Sequence, residues 1–204
     1  MKILLLSDTE DKALWDHYRP DRLAGIDLIL SCGDLRAEYL EFLVTMTNLP
    51  LFYVHGNHDQ GYATRPPEGC LCIEDHIESY QGFRIMGLGG SMRYHPDSTC
   101  MYTEQEMTFR LWKLGLSMRR GGVDLLLTHA PIHGYGDLPD LAHRGFSCFD
   151  RLLSGQHIPY MAFGHVHKSY GKFERTLRHP SGTLLINAWQ SCILDTETGE
   201  VRDR

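Results

Sequence analysis

Residues 3–12 read Ile-Leu-Leu-Leu-Ser-Asp-Thr-Glu-Asp-Lys: four apolar residues, a serine, and then three carboxylates within four positions. No polar residue interrupts 3–6, which is the composition of a strand buried on both faces. Carboxylates have no place in that interior, so Asp8 and Glu10 stand where the chain leaves it. The same event recurs four times. A strand expected over 26–30 is followed by Gly33-Asp34, and one over 51–54 by Gly56-Asn57-His58-Asp59. One over 123–127 runs into Thr128-His129-Ala130-Pro131, and one over 160–163 into Gly164-His165-Val166-His167. Open α/β sheets place their ligand crevice at the carboxyl ends of their strands, and here five such ends carry metal-competent side chains. Glycine precedes three of the clusters and lets the backbone turn sharply and approach closely.

Each cluster alone has a plainer reading. Asp-x-Glu after a strand also describes a helix cap, and Asn57-His58-Asp59 is built of turn residues. A solitary His129 would be a hydrogen-bonded polar residue. Gly-His-x-His says more, because two imidazoles spaced two apart near a strand end can turn towards one centre. Five independent turns would not all select Asp, Asn and His, so the joint pattern points to a metal site.

Helical patterns alternate with the strands, over 12–18, 38–46, 104–120 and 149–153, which signals an α/β architecture. Thr103-Glu104-Gln105-Glu106 is a capping box, and Gly121-Gly122 ends the helix it opens. Residues 70–88 read as short antiparallel strands with Gln81-Gly82 as the hairpin turn, and the tail from 182 as further antiparallel strands. No linker or repeat divides the chain, so a single domain is expected over 1–204. The one long loop, 130–145, is rich in Gly, Pro, His and Asp, and a loop of that length serves function or motion.

Bulk composition narrows the partners. The net charge of −6 argues against a surface for phosphate-driven nucleic-acid binding. No run approaches the ~18–20 apolar residues that span a bilayer, and no secretory leader is visible, so a cytoplasmic location away from membranes is expected. The six cysteines then read as free thiols, and Cys70-Leu71-Cys72 lacks the second pair of a zinc knuckle.

Asp8, Glu10, Asp34, Asn57, His129, His165 and His167 offer seven donors, too many for one tetrahedral zinc. Mixed carboxylate, imidazole and amide ligation suits a pair of first-row ions: Mn, Fe, Co, Ni or Zn. Two such ions about 3.5–4 Å apart can share a hydroxide and clamp a phosphoryl group, which indicates phosphoester hydrolysis.

The order Asp-x-(His), Gly-Asp, Gly-Asn-His-(Asp/Glu), His, Gly-His-x-His, running from Asp8 to His167, resembles the calcineurin-like metallophosphoesterase superfamily. The resemblance implies a four-layer α-β-β-α sandwich with a dinuclear centre. Asp34 would bridge the ions. Asp8 and His167, with the residue at position 10, would hold the first ion, and Asn57, His129 and His165 the second. His58 would contact the phosphate and protonate the leaving oxygen, a task suited to imidazole near neutral pH.

Position 10 departs from the pattern, which has histidine there. As a ligand, Glu10 would bring the sum of two divalent ions, Asp8, Asp34 and a hydroxide to about zero, favouring trivalent iron or weaker occupancy. As a helix cap it would not touch the metals. Among the other histidines, His55 reads as structural, and His17, His76, His95, His157 and His179 carry no pattern. The stretch THAPIHGYGDLPDLAHRGF with GHVHKSYG resembles a subgroup that includes cyclic-nucleotide-type phosphodiesterases, which makes His143 and Arg144 candidate substrate contacts beside Asn57 and His58.

The expected function is hydrolysis of a small phosphodiester, with three alternatives: phosphomonoesterase, nuclease, or non-catalytic scaffold. GDLRAEY lacks the Asp-Arg-Gly that the protein-phosphatase branch carries after Gly-Asp, and the retained His58 argues against a scaffold. A homodimer is left open.

Overall fold

The computed structural model describes residues 1–171 and 173–203. In chain order its strands are β1 (Lys2–Ser7), β2 (Leu28–Ser31), β3 (Leu51–Tyr53), β4 (Leu71–Cys72), β5 (Ile77–Tyr80), β6 (Phe83–Leu88) and β7 (Ser91–Met92). There follow β8 (Met101–Tyr102), β9 (Leu125–Thr128), β10 (Tyr160–Phe163), β11 (Thr176–Arg178), β12 (Leu184–Asn187), β13 (Gln190–Asp195) and β14 (Glu200–Asp203). The α-helices are α1 (Ala37–Thr47), α2 (Glu104–Gly121) and α3 (Ser147–Gly155).

These strands form two six-stranded sheets, in the orders β14-β13-β1-β2-β3-β4 and β11-β12-β10-β9-β6-β5, with β7 and β8 as a separate pair. The two-residue period of a strand decides the layering. On β1, Ile3 and Leu5 enter the central core, while Leu4 and Leu6 face outward towards the α1 side. On β9, Leu125 and Leu127 join the same central core, and Leu126 faces α2 and α3. Alternation on β2 and β12 agrees: Leu28, Leu30, Leu184 and Ile186 lie between the sheets, Ile29 and Leu185 outside them. Both faces of each sheet are therefore covered, giving the α-β-β-α sandwich.

Within the first sheet β1, β2, β3 and β4 run parallel; within the second, β6, β9, β10 and β12 do. Helices α1, α2 and α3 supply the crossovers from β2 to β3, across to β9 and on to β10. The carboxyl ends of β1, β2, β3, β9 and β10 consequently meet at one edge of the sandwich. Asp8 N–H donates to the Gly33 carbonyl at 3.1 Å, and Gly164 N–H to that of His129 at 2.9 Å, tying neighbouring strand ends together.

Three expectations need correction. Residues 12–17 form turns rather than a helix: Leu14 N–H bonds the Asp11 carbonyl and His17 N–H that of Lys12, a mixed pattern that no helix repeats. Trp15 instead lies against Tyr39 and Phe42 of α1, with ring centroids 5.4 and 5.2 Å away, so tertiary packing overrides local preference. Within 70–88, β5 and β6 do form the hairpin around Gln81-Gly82, both residues at positive φ, but β4 extends the first sheet in parallel with β3. In the tail, β12 runs parallel to β10, and the antiparallel partners are β11 on one sheet and β13 with β14 on the other.

Candidate metal centre

Asp8 follows β1 with φ at 63°, and Asp34 follows β2 with φ at 57°. Aspartate tolerates this left-handed conformation better than most residues, because its short side chain bonds locally. Here the side chains bond to other strand ends instead. Both Asp8 oxygens accept from the His165 N–H, at 3.1 and 2.9 Å, and Asp34 Oδ1 accepts from the His58 N–H at 2.8 Å. Asp34 N–H in turn donates to Asp59 Oδ2 at 2.8 Å, as Gly56 N–H does at 2.7 Å. Burial and the nearby Asp34 charge push the Asp59 carboxyl up to about 6.

Two glycines allow the approach. A Cβ on Gly56 would collide with the Asp34 carboxylate, and one on Gly164 with Ser7 Oγ and Asp8 Oδ2. Gly56 and Gly164 thus leave room for a carboxylate from another strand end, and Gly33 leaves room for the Gly56 backbone.

Asp8, Asp34 and His129 offer ligand atoms that all lie within 4.8 Å of one another. Around them, His129 Nε2 lies 2.9 Å from Asn57 Oδ1, 3.1 Å from His165 Nδ1 and 3.4 Å from Asp34 Oδ2. His167 Nε2 stands 3.2 Å from Asp8 Oδ1. The outer nitrogens reveal what this arrangement requires. His129 Nδ1 donates to the Cys32 carbonyl at 2.9 Å, and His165 Nε2 to the Ala142 carbonyl at 2.6 Å. In neutral rings the inner nitrogens then carry lone pairs. Asn57 Nδ2 is turned away to the Tyr94 hydroxyl at 3.1 Å, so its oxygen also faces inward.

Two imidazole lone pairs, an amide oxygen and two carboxylates converge with no hydrogen of their own between them. A positive charge belongs there, and histidines anchored through their outer N–H to a carbonyl are typical of metal ligands. A proton is the minimal substitute. Burial pulls His129 down, but the Asp34 carboxylate outweighs it and holds the imidazole up at about 9. Burial and the His129 charge hold His165 down to about 3. Asp34, raised by burial but dominated by His129, falls to about 2. The residues present therefore fit a cation.

The hollow above the cluster has a volume of about 170 Å³ and includes Asp8, Asp34, Asn57, His58, His143, His165 and His167 in its lining. Tyr94 and Tyr170, which sequence reasoning did not single out, also form its walls. Tyr170 stacks on His167 at 4.6 Å and 10°, and meets His143 at 4.7 Å. His143 Nδ1 is held by Asp140 at 2.8 Å, and its ring also packs against His165. Arg144 is exposed and is not among the lining residues.

Glu10 is not brought to the cluster. Its two oxygens take the Arg36 guanidinium in a fork, at 2.6 and 2.5 Å, in a separate hollow shared with Thr9, Lys12, Trp15 and Asp16. A carboxylate so engaged has both oxygens committed elsewhere.

A profile of calcineurin-like phosphoesterases matches residues 1–169. The chain belongs to this family. As a calcineurin-like phosphoesterase it is a phosphoric ester hydrolase, and the family implies divalent metal cofactors. Among solved structures, the chain is similar to TT1561 of Thermus thermophilus, with a TM-score of 0.72 and 16% identity over 98% of this chain and 96% of that one. An archaeal phosphodiesterase aligns with a TM-score of 0.49 and 16% identity over 99% and 98% of the two chains. Vps29 of Chaetomium thermophilum aligns at 0.44 and 14% over 96% and 80%. No curated protein matches the sequence.

Proposed function

We propose that this phosphoesterase is a dinuclear metal-dependent phosphodiesterase acting on a small phosphodiester. The carrying observation is the inward convergence of His129 Nε2, His165 Nδ1, Asn57 Oδ1 and the Asp8 and Asp34 carboxylates beneath an exposed His58. Asp34 would be shared between the ions, with Asp8 and His167 on one side and Asn57, His129 and His165 on the other. Two first-row ions in that donor set supply Lewis acidity towards phosphoryl oxygens and an activated water nucleophile. His58 stands at the lip of the hollow, its backbone N–H fixed by Asp34, and its imidazole donates a proton to the departing ester oxygen.

Arg36 removes the charge difficulty raised by Glu10. With that carboxylate paired outside the cluster, two divalent ions against two aspartates and a hydroxide leave a net charge of about +1, and trivalent iron is not required. The lining of the hollow, which contains no lysine or arginine among the described residues, supports a preference for diesters. A monoester dianion profits from fixed cationic side chains, whereas a diester carries one charge and two organic arms. Tyr94 and Tyr170 offer faces for those arms.

The test is hydrolysis of bis-p-nitrophenyl phosphate and p-nitrophenyl phosphate with added Mn(II). The diester should turn over faster, and His58→Ala should lower its kcat by about 10²–10⁴ with metal retained. A protein that binds metal yet hydrolyses neither ester would support the scaffold reading. Faster monoester turnover would replace the diesterase assignment.

A further inference from the structure

Helix α2 presents two unlike faces. Met107, Leu111 and Leu114 are buried against the second sheet, whereas Phe109, Trp112 and Leu116 are 53%, 74% and 62% exposed. Their i, i+3, i+7 spacing makes one stripe on the solvent side. The Phe109 and Trp112 rings stack at 5.8 Å and 16°, and the Lys113 ammonium lies 4.7 Å from the Phe109 ring. Beside the stripe runs a groove of about 350 Å³, bounded by Trp112, Gly115 and Met118 of α2 and by Leu152 and Gly155 of α3. At Gly115 a Cβ would meet nothing within 4 Å, so another helix can come close there. Contiguous exposed apolar surface of this kind marks an interaction site, and this one lies outside the metal centre.

The occupant is indicated by symmetry. Phe109 and Leu116 are equidistant in sequence from the point between Trp112 and Lys113, which is also the midpoint of α2 itself. Acidic residues Glu104 and Glu106 occupy the first turn, and Arg119 and Arg120 the last. Turning a second copy about a two-fold axis through that midpoint sets Phe109 against the partner's Leu116. The same rotation brings Glu106, which also caps the helix and pairs with Arg93 in its own chain, opposite the partner's Arg119, and sets Trp112 near the axis. The helix is complementary to its own antiparallel image in both shape class and charge, as an isologous interface requires.

We infer that α2 is a homodimer interface, with two α2 helices packed antiparallel across a two-fold axis near Trp112 and Lys113. Three large side chains per chain place the contact at the small end of stable interfaces, with a dissociation constant on the order of micromolar.

Sedimentation equilibrium across the micromolar range should show reversible dimerisation of the wild type. Trp112→Glu should be monomeric throughout, with unchanged circular dichroism and phosphoesterase activity. Gln105→Glu adds an acid opposite the partner's Arg120 and should tighten the dimer by about twofold at low salt. Lys113→Cys, close to the axis, should cross-link to itself on mild oxidation when the wild type does not. A wild type that stays monomeric at every concentration would overturn the inference and leave the stripe to another protein. A dimer that survives Trp112→Glu, or that Lys113→Cys fails to trap, would overturn it equally.

Discussion

Asp8 and Glu10 leave the same strand two residues apart and reach different destinations. Asp8 turns inward through its left-handed backbone and meets His165 and His167, whereas Glu10 meets Arg36 at the rim. Glu10→Gln should therefore keep the metal content of the wild type by elemental analysis, while Asp8→Asn loses ions. Loss of an ion from Glu10→Gln would return Glu10 to the ligand set. A methyl group at position 164 tests the close approach of strands: Gly164→Ala overlaps Ser7 and Asp8, and should cost about 1–3 kcal/mol in denaturant melts and weaken metal retention. The converging donors were legible in the sequence because each follows an apolar run, so chemistry and strand boundary coincide. Tyr94 and Tyr170 carried no such signal, since they reach the hollow from loops whose course is set by distant contacts. Arg36 was likewise silent, because nothing in Gly-Asp-Leu-Arg says which carboxylate its side chain will meet.

At the scale of elements, local signals succeeded where backbone bonds are satisfied locally. The capping box is complete: Glu106 N–H donates to Thr103 Oγ1 at 3.2 Å, and Thr103 N–H to Glu106 Oε2 at 2.7 Å. Thr103→Ala should destabilise the protein by about 1 kcal/mol, lowering Tm by about 2–4 °C, as calorimetry would register. Residues 12–17 show the opposite case. Asp11 is buried, accepts from the Ala13 N–H at 2.9 Å and from Ser191 Oγ at 2.6 Å, and so ends regular bonding where periodicity suggested a helix. The parallel placement of β4 and β12 was also hidden, because pairing direction depends on partners far away in the chain.

For the molecule as a whole, the two sheets are joined by a partly buried ionic group around Arg110. Glu74 accepts N–H groups from His55 at 3.1 Å and Gly89 at 3.0 Å and pairs with Arg110 of α2. Arg110 also reaches Asp75 at 2.7 Å and the Gly89 carbonyl at 2.9 Å. Burial pushes the Glu74 carboxyl up, but His55 and Arg110 outweigh it and hold the group below the usual carboxylate range. A depressed carboxyl contributes stability that is complete above its unfolded value and is lost as pH falls through the folded one. Glu74→Gln should thus lower stability by about 3 kcal/mol at neutral pH. That gap should narrow as the pH falls below the ordinary carboxylate range and through the lowered Glu74 value. A gap independent of pH would mean that Glu74 acts through packing rather than charge.

Asp8, Asp34 and His165 all hold left-handed backbone conformations, and hydrogen bonds among strand ends support them. A site of mixed oxygen and nitrogen donors can accept several first-row ions, whose intrinsic affinities follow one general order, so metal availability weighs heavily. Cellular supply then selects the occupant. Protein purified from manganese-rich, zinc-rich and iron-rich cultures should carry correspondingly different metals on the same unaltered scaffold.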